Sequence, residues 1–440
     1  MSWSRRARRA LRAGRARPTG RARRAVGAVA VAALVIGGVV ALVVGASGGQ
    51  RHRHAVTAPA GSAPGRPAPA PGRPAPAPGV PAPAASTPGL PAPAAEVLGV
   101  SVNRLFNDLA YTQPQIDAQL AAVRRTGVTI ARSDALWEAA EPEAPVGGVH
   151  HYDWAFDDQI AGSLAAAGLT WLPIVDYTAP WAESVSGQDH SPPRADADYA
   201  AYAAYAAAFA ARYGSGGAFW RSHPDLAALP VTTIEIWNEP DNGEFWVPSP
   251  SAAAYAALYL AARAAIDGAS PAIRVIVGGL TDPTAFLPAM VQAQPQLRGH
   301  VDGVAIHPYG RPAVLVAKVR AARATLEALG MGAVPLYVTE FGWTTAPPTA
   351  PDYARAARRP GYIARTLASL GHLGCGVAAA VLYTWVTPER DPADSQDWYG
   401  IASPSDPAVT TADTAALSTG VRTAVAGGGG STSATAACAG

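Results

Sequence analysis

From Val97 onward, short apolar runs alternate with alanine-rich stretches of helical character, and a chain that alternates in this way has few folds open to it. Residues 97–103, 128–133, 170–175, 233–238, 273–278, 303–307, 336–340 and 378–385 read as strands from their β-branched and aromatic content. Residues 113–125, 154–167, 198–213, 252–267, 283–292, 311–329 and 360–370 read as helices, and 411–421 as an eighth. Strand–helix alternation of this length predicts parallel strands closed into a (β/α)8 barrel, a fold of about 250 residues or more. An open doubly wound sheet needs a glycine fingerprint after its first strand. The one match to that pattern, at residues 374–379, follows a helix and precedes a strand, the reverse of what a phosphate cradle requires.

The barrel signal stops abruptly on its N-terminal side. Residues 1–96 hold 14 of the 34 Lys and Arg but a single acid, Glu96, leaving 20 basic against 31 acidic side chains in the remainder. An acidic body argues against nucleic acid as a partner and suits a neutral or cationic substrate. Residues 1–24 contain ten arginines, and residues 25–46 are apolar or glycine without a charge. A helix of that length spans about 30 Å, enough for a bilayer core, and exceeds the apolar region of about 7–15 residues in a cleaved signal. The expectation is a transmembrane anchor with its arginines in the cytoplasm and all that follows outside the plasma membrane, or else a secreted protein if cleavage falls after Ala46. Residues 47–95 are rich in Pro, Ala and Gly and read as a polyproline linker that reaches on the order of 100 Å. The division expected is therefore 1–24 cytoplasmic, 25–46 membrane, 47–95 linker, 96–425 barrel and 426–440 disordered tail. Cys375 reads as a small buried side chain and Cys438 as part of the tail, with no metal spacing between them. The nine histidines show no metal-binding spacing either, and neither metal nor cofactor is expected.

In a barrel of this kind, chemistry gathers at the C-terminal ends of the strands. The ends found are Asn103, Arg132, Asp176-Tyr177, Asn238-Glu239, His307-Pro308-Tyr309, Glu340 and Trp385. Two of them deliver a carboxylate, Glu239 inside Asn-Glu-Pro and Glu340 inside Val-Thr-Glu-Phe-Gly-Trp. A carboxylate from each of two strands supplies what a glycosidase needs, an acid/base and a nucleophile. Glu235 falls on the same face as Glu239 by the period of two and reads as half of a buried ion pair, with Arg132 as a candidate partner. Trp181, Trp343 and Trp398 lie in loops where they either line subsites or pack.

These strand ends resemble the retaining glycoside hydrolases of clan A, and residues 235–246 look most like family 39 and the related family 5 (cellulase-like) enzymes. The resemblance covers roughly residues 97–405. It implies Glu239 as acid/base and Glu340 as nucleophile. Arg132 and Tyr309 would donate to Glu340, Asn238 would bind the sugar 2-hydroxyl, and His307 would position Glu239. Trp385 would stack under the reacting sugar, and Trp343 would line the substrate site. An acid/base needs surroundings that raise its pKa, for which Trp237 and Trp246 are candidates. The family 5 histidine after the third strand is missing, since Val175-Asp176-Tyr177-Thr178 stands there, which leaves the sugar open. The activity implied is retaining hydrolysis of an extracellular poly- or oligosaccharide by a monomer anchored in the membrane. The alternative is a non-catalytic carbohydrate-binding or wall-associated protein on the same scaffold.

Overall fold

The computed structural model describes residues 97–107, 110–194, 197–427 and Cys438. Among them, eight parallel strands close into a barrel in chain order. They are β1 (Val97–Ser101), β2 (Ile130–Leu136), β3 (Thr170–Asp176), β4 (Thr233–Asn238), β5 (Arg274–Leu280), β6 (Gly303–Ile306), β7 (Leu336–Phe341) and β8 (Val377–Leu382). Each leads into one principal helix: α1 (Gln113–Arg125), α2 (Ala155–Ala166), α3 (Ala197–Tyr213), α4 (Ala252–Ala269), α5 (Pro283–Ala293), α6 (Pro312–Ala328), α7 (Arg359–His372) and α8 (Ala412–Gly427). The expected (β/α)8 barrel is the fold observed.

Local chemistry accounts for the helix starts. Thr112 and Gln115 form a reciprocal capping box at α1, and the Ser251 and Asp282 side chains accept backbone N–H groups at the starts of α4 and α5. The barrel interior is filled by trading one large side chain against small neighbours. Tyr337 on β7 packs with Ile276, Ala305, Ala378 and Ala379. A Cβ on Gly303 would lie 2.4 Å from the Tyr337 ring, so β6 must carry a glycine there.

Several expectations shift. β2 continues past Ser133 to Leu136, so Arg132 lies within the strand and not at its end. β8 stops at Leu382, three residues before Trp385. Helix α8 runs to Gly427, beyond the expected limit of the barrel. The cysteines are paired: Cys375, just before β8, is disulfide-bonded to Cys438 across a Cα–Cα distance of 4.8 Å. The expected anchor and linker, residues 1–95, lie outside the described residues. Among those described, no helix is long and apolar enough to cross a membrane.

Candidate active site

All eight strands send residues to one cleft of about 370 Å³ at their C-terminal ends. Glu239 and Glu340 line it together with Asn238, His307 and Tyr309. An oxygen of Glu239, an oxygen of Glu340 and a ring nitrogen of His307 all lie within 4.8 Å of one another.

The backbone reaches this arrangement by breaking the strand period twice. On β4, Trp237 and the following Glu239 have φ of 67° and 46°. Left-handed backbone of this kind costs a non-glycine residue about 1–3 kcal/mol and recurs at functional sites. The kink turns both Glu235 and Asn238 toward Arg132 although they stand three residues apart. It also drives β4 against β5, where a Cβ on Gly278 would lie 2.2 Å from the Trp237 carbonyl oxygen. On β7, the register with β8 shifts between Val338 and Phe341, and Thr339 and Glu340 both reach inward.

Arg132 is the hub beneath the cleft. Its Nε and Nη2 donate to the two oxygens of Glu235 at 2.8 and 3.1 Å, its Nη1 to Glu340 Oε1 at 2.5 Å, and its Nη2 to Asn238 Oδ1 at 3.0 Å. Arg132 thus contacts both Glu235 and Glu340. Glu235 further accepts from the Gly279 N–H and the Thr339 hydroxyl. The Asn238 oxygen is taken by Arg132, so its amide nitrogen remains to donate into the cleft. The Tyr309 hydroxyl donates a hydrogen bond to Glu340 Oε2 at 2.7 Å.

Burial alone would raise the pKa of Glu340. The charges of His307 and Arg132 and the hydrogen bonds from Tyr309 and Arg132 outweigh it, and the carboxyl is held below its ordinary value. His307 follows the opposite logic: burial would depress it, but the Glu340 and Glu239 carboxylates raise it above its ordinary 6.5. As an imidazolium it donates Nδ1–H to Glu239 Oε1 at 2.8 Å and Nε2–H to Thr339 Oγ1 at 3.1 Å. Glu239 Oε2 accepts from Asn242 Nδ2 at 2.7 Å. Among the described residues, Glu239, His307 and Glu340 are the group with metal-ligand spacing. The Arg132 guanidinium, 2.5 Å from one Glu340 oxygen, sets a fixed positive charge against any cation entering there.

The His307 ring is seated by the absence of a neighbouring side chain, because a Cβ on Gly279 would lie 2.0 Å from its Nε2. Gly279→Ala is therefore expected to displace the ring from Glu239. An NMR titration of His307 should then show its pKa falling from above 6.5, and an unchanged value would contradict this placement.

Two expected substrate residues are not in the cleft. Trp385 has its backbone N–H on Ser101 O at 2.9 Å, which turns the indole outward so that Nε1 donates to Gln119 of α1 at 2.8 Å. It lines a shallow surface groove between α1 and α8 instead. Trp343 follows Gly342, where the chain passes so close to β8 that a Cβ would lie 2.0 Å from Tyr383 O. Its ring packs edge-on against Phe341 and Tyr362, with Nε1 on Gly310 O. Trp181 and Trp398 likewise bond backbone carbonyls, of Glu141 and Asp391. Trp237 and Trp246 pack on each other behind the cleft and do not line it.

The aromatic surfaces of the cleft are others. Tyr177 and Phe245 stand with His190 beside Glu239, while Tyr383 and Tyr399 stand with Tyr309 beside Glu340. Asp134, which accepts from Asn107 Nδ2 at 2.6 Å, also faces the cleft and was not anticipated.

The class defined so far is a closed (β/α)8 barrel with a glutamate at the ends of β4 and β7, both opening into one cleft. Solved structures similar to it are family 39 and family 5 glycoside hydrolases. A family 39 glycoside hydrolase from the gut symbiont Bacteroides cellulosilyticus aligns with a TM-score of 0.55 at 19% identity, over 75% of this chain and 64% of that one. A family 39 beta-xylosidase from Caulobacter crescentus aligns with a TM-score of 0.55 at 21% identity, over 76% of this chain and 72% of that one. A family 5 enzyme from Bifidobacterium longum subsp. infantis aligns with a TM-score of 0.53 at 11% identity, over 74% and 79%. At these identities the likeness establishes the fold. No family model matches the sequence, and no curated protein is similar to it.

Proposed function

We propose that the protein is a retaining glycoside hydrolase acting on a poly- or oligosaccharide outside the cytoplasm. The observation that carries the proposal is the spacing and unequal setting of the two glutamates, oxygens of which lie within 4.8 Å. Retaining enzymes hold their carboxyl groups about 5–5.5 Å apart, whereas inverting ones leave about 6.5–9.5 Å for a water. Glu340, kept ionised by Arg132 and His307, attacks the anomeric carbon and forms a covalent glycosyl ester. The bond to the leaving oxygen breaks as Glu239 supplies its proton, and the Nδ1–H of His307 stays hydrogen-bonded to the carboxylate that remains. Water then gives a proton back to Glu239, attacks the same carbon and frees Glu340. The amide nitrogen of Asn238 is available to the sugar 2-hydroxyl, and Tyr383 and Tyr399 supply stacking surfaces in place of the expected tryptophan. One chain furnishes every one of these groups, so a monomer suffices.

The extracytoplasmic address is supported by the Cys375–Cys438 disulfide, since such bonds persist in oxidising compartments. It is also supported by the arginine cluster followed by 22 uncharged residues, 25–46, which fit a membrane anchor. Alkaline washing of membranes distinguishes an anchor from a cleaved signal, because only an anchored protein stays with the pellet.

A panel of aryl glycosides tests the activity, together with Glu239→Gln. The variant should retain turnover on a dinitrophenyl glycoside, whose leaving group needs no proton. On a plain phenyl or alkyl glycoside it should lose on the order of 10²–10⁴-fold, the scale of general acid catalysis. Equal losses on both substrates would remove Glu239 from the role of acid.

The pH profile of kcat/KM follows from the two shifted groups. Glu340 is depressed, so activity should fall on the acid side only as pH drops below the ordinary 4.5. His307 is raised, so the proton it shares with Glu239 should be lost, and activity with it, above 6.5. An acid limb lying above 4.5 would contradict the setting of Glu340.

A further inference from the structure

One side of the cleft is built by a segment tied down on both flanks, and that side bears on substrate length. In the proposed reaction, which this inference presupposes, the leaving group lies on the side of Glu239 and the sugar being attacked on the side of Glu340. Behind Glu340 stands the segment that follows β8, carrying Gln396 and Tyr399 into the cleft. It is fastened from both flanks.

On one flank, Arg104, in the short helix after β1 and only 3% exposed, donates Nη2 to Gln396 O at 3.0 Å and faces Asp397 at 4.0 Å. Gln119 of α1 donates to Ser403 O at 3.0 Å, and the Tyr111 hydroxyl bonds Pro404 O. On the other flank, Arg359 of α7 donates to Trp398 O at 3.0 Å and to Gly400 O at 2.8 Å, bracketing Tyr399, while Asp413 of α8 neutralises it at 2.6 Å. Thr344 after β7 adds a bond to Ser395 O at 2.9 Å. Tyr399 packs edge-on against both Tyr309 and Tyr383, which completes a continuous face from β6 to β8. Two buried arginines and their carboxylates are costly to separate, so this face is a fixed wall and not a loop free to swing aside.

We infer that the wall closes the site beyond the reacting sugar, so the enzyme removes single sugars from the non-reducing end of a chain. On this inference a sugar seated against Glu340 meets Gln396 and Tyr399 where a further residue on its non-reducing side would lie. The opposite side, by Tyr177, His190 and Phe245, receives the rest of the chain.

The test uses the full-length enzyme and xylo-, gluco- or galacto-hexasaccharides labelled at the reducing end, the series chosen by whichever aryl glycoside is turned over. The labelled products should appear in order, shortened by one sugar at a time, with free monosaccharide as the sole small product. A 4-O-methyl cap on the non-reducing terminal sugar should slow cleavage at least 100-fold. Early appearance of short labelled fragments, or cleavage of the capped chain at more than a hundredth of the uncapped rate, would overturn the inference while leaving the hydrolase intact. Failure on every aryl glycoside and every hexasaccharide would instead defeat the hydrolase, and the inference with it.

Discussion

Replacing Glu340 by glutamine is expected to lower turnover of an aryl glycoside by on the order of 10⁵-fold, the scale on which removal of a catalytic nucleophile acts. The amide has the shape of the carboxylate and keeps an oxygen for Tyr309 or Arg132, but it cannot form the glycosyl ester. Arg132 would still be held by both oxygens of Glu235. The substitution should therefore leave the unfolding midpoint close to that of the native protein, so the loss belongs to chemistry and not to folding. Steady-state kinetics alongside chemical denaturation checks both halves. A variant that keeps more than about a hundredth of native turnover would show that Glu340 stabilises charge without forming a bond.

Arg132→Met is expected to have the largest effect on stability. Glu235 is wholly buried, and both of its oxygens accept from the Arg132 guanidinium. Removing one partner of a buried pair leaves a charge without compensation and costs about 3–5 kcal/mol. Denaturant unfolding should show that loss as a lower midpoint, and turnover should fall too, because Glu340 keeps His307 but loses the second of the two charges that hold its pKa down. The double variant Arg132→Met, Glu235→Met should recover much of the stability but none of the activity, since it removes both charges together. If the single and double variants were equally unstable, the pair would not be the hub of the cleft.

How much of this was legible in the sequence depends on where the strand period holds. The apolar run of β4 ends on Asn238 as read, and Glu239, Glu340, His307 and Tyr309 follow their strands into one cleft. In the sequence β2 ends at Ser133, because Ser133 and Asp134 interrupt its apolar character, whereas the strand runs to Leu136. In a barrel, the upper third of a strand faces the site and carries polar side chains, so the interruption was itself a sign of function. Asp134 was missed for that reason. Trp385 and Trp343 lie just past their strands, where the chain direction is set by close backbone contacts at Ser101 and Gly342 and not by alternation. The aromatic residues facing the cleft, Tyr383 and Tyr399, carried no signal of their own, since one is a strand-end tyrosine and the other belongs to an irregular loop. The Cys375–Cys438 bond joins positions 63 apart, a pairing that only the folded chain brings together.

The central claim is that Glu340 becomes covalently bonded to sugar while Glu239 serves the leaving oxygen. A 2-deoxy-2-fluoro glycoside with a dinitrophenolate leaving group, of the sugar selected by the aryl panel, forms the glycosyl ester quickly and releases it slowly. Peptide mass spectrometry of the inactivated enzyme should place one fluorosugar on Glu340, with native turnover returning as the adduct hydrolyses. Attachment to any other residue, or active enzyme that remains unlabelled and releases product of inverted configuration, would contradict it.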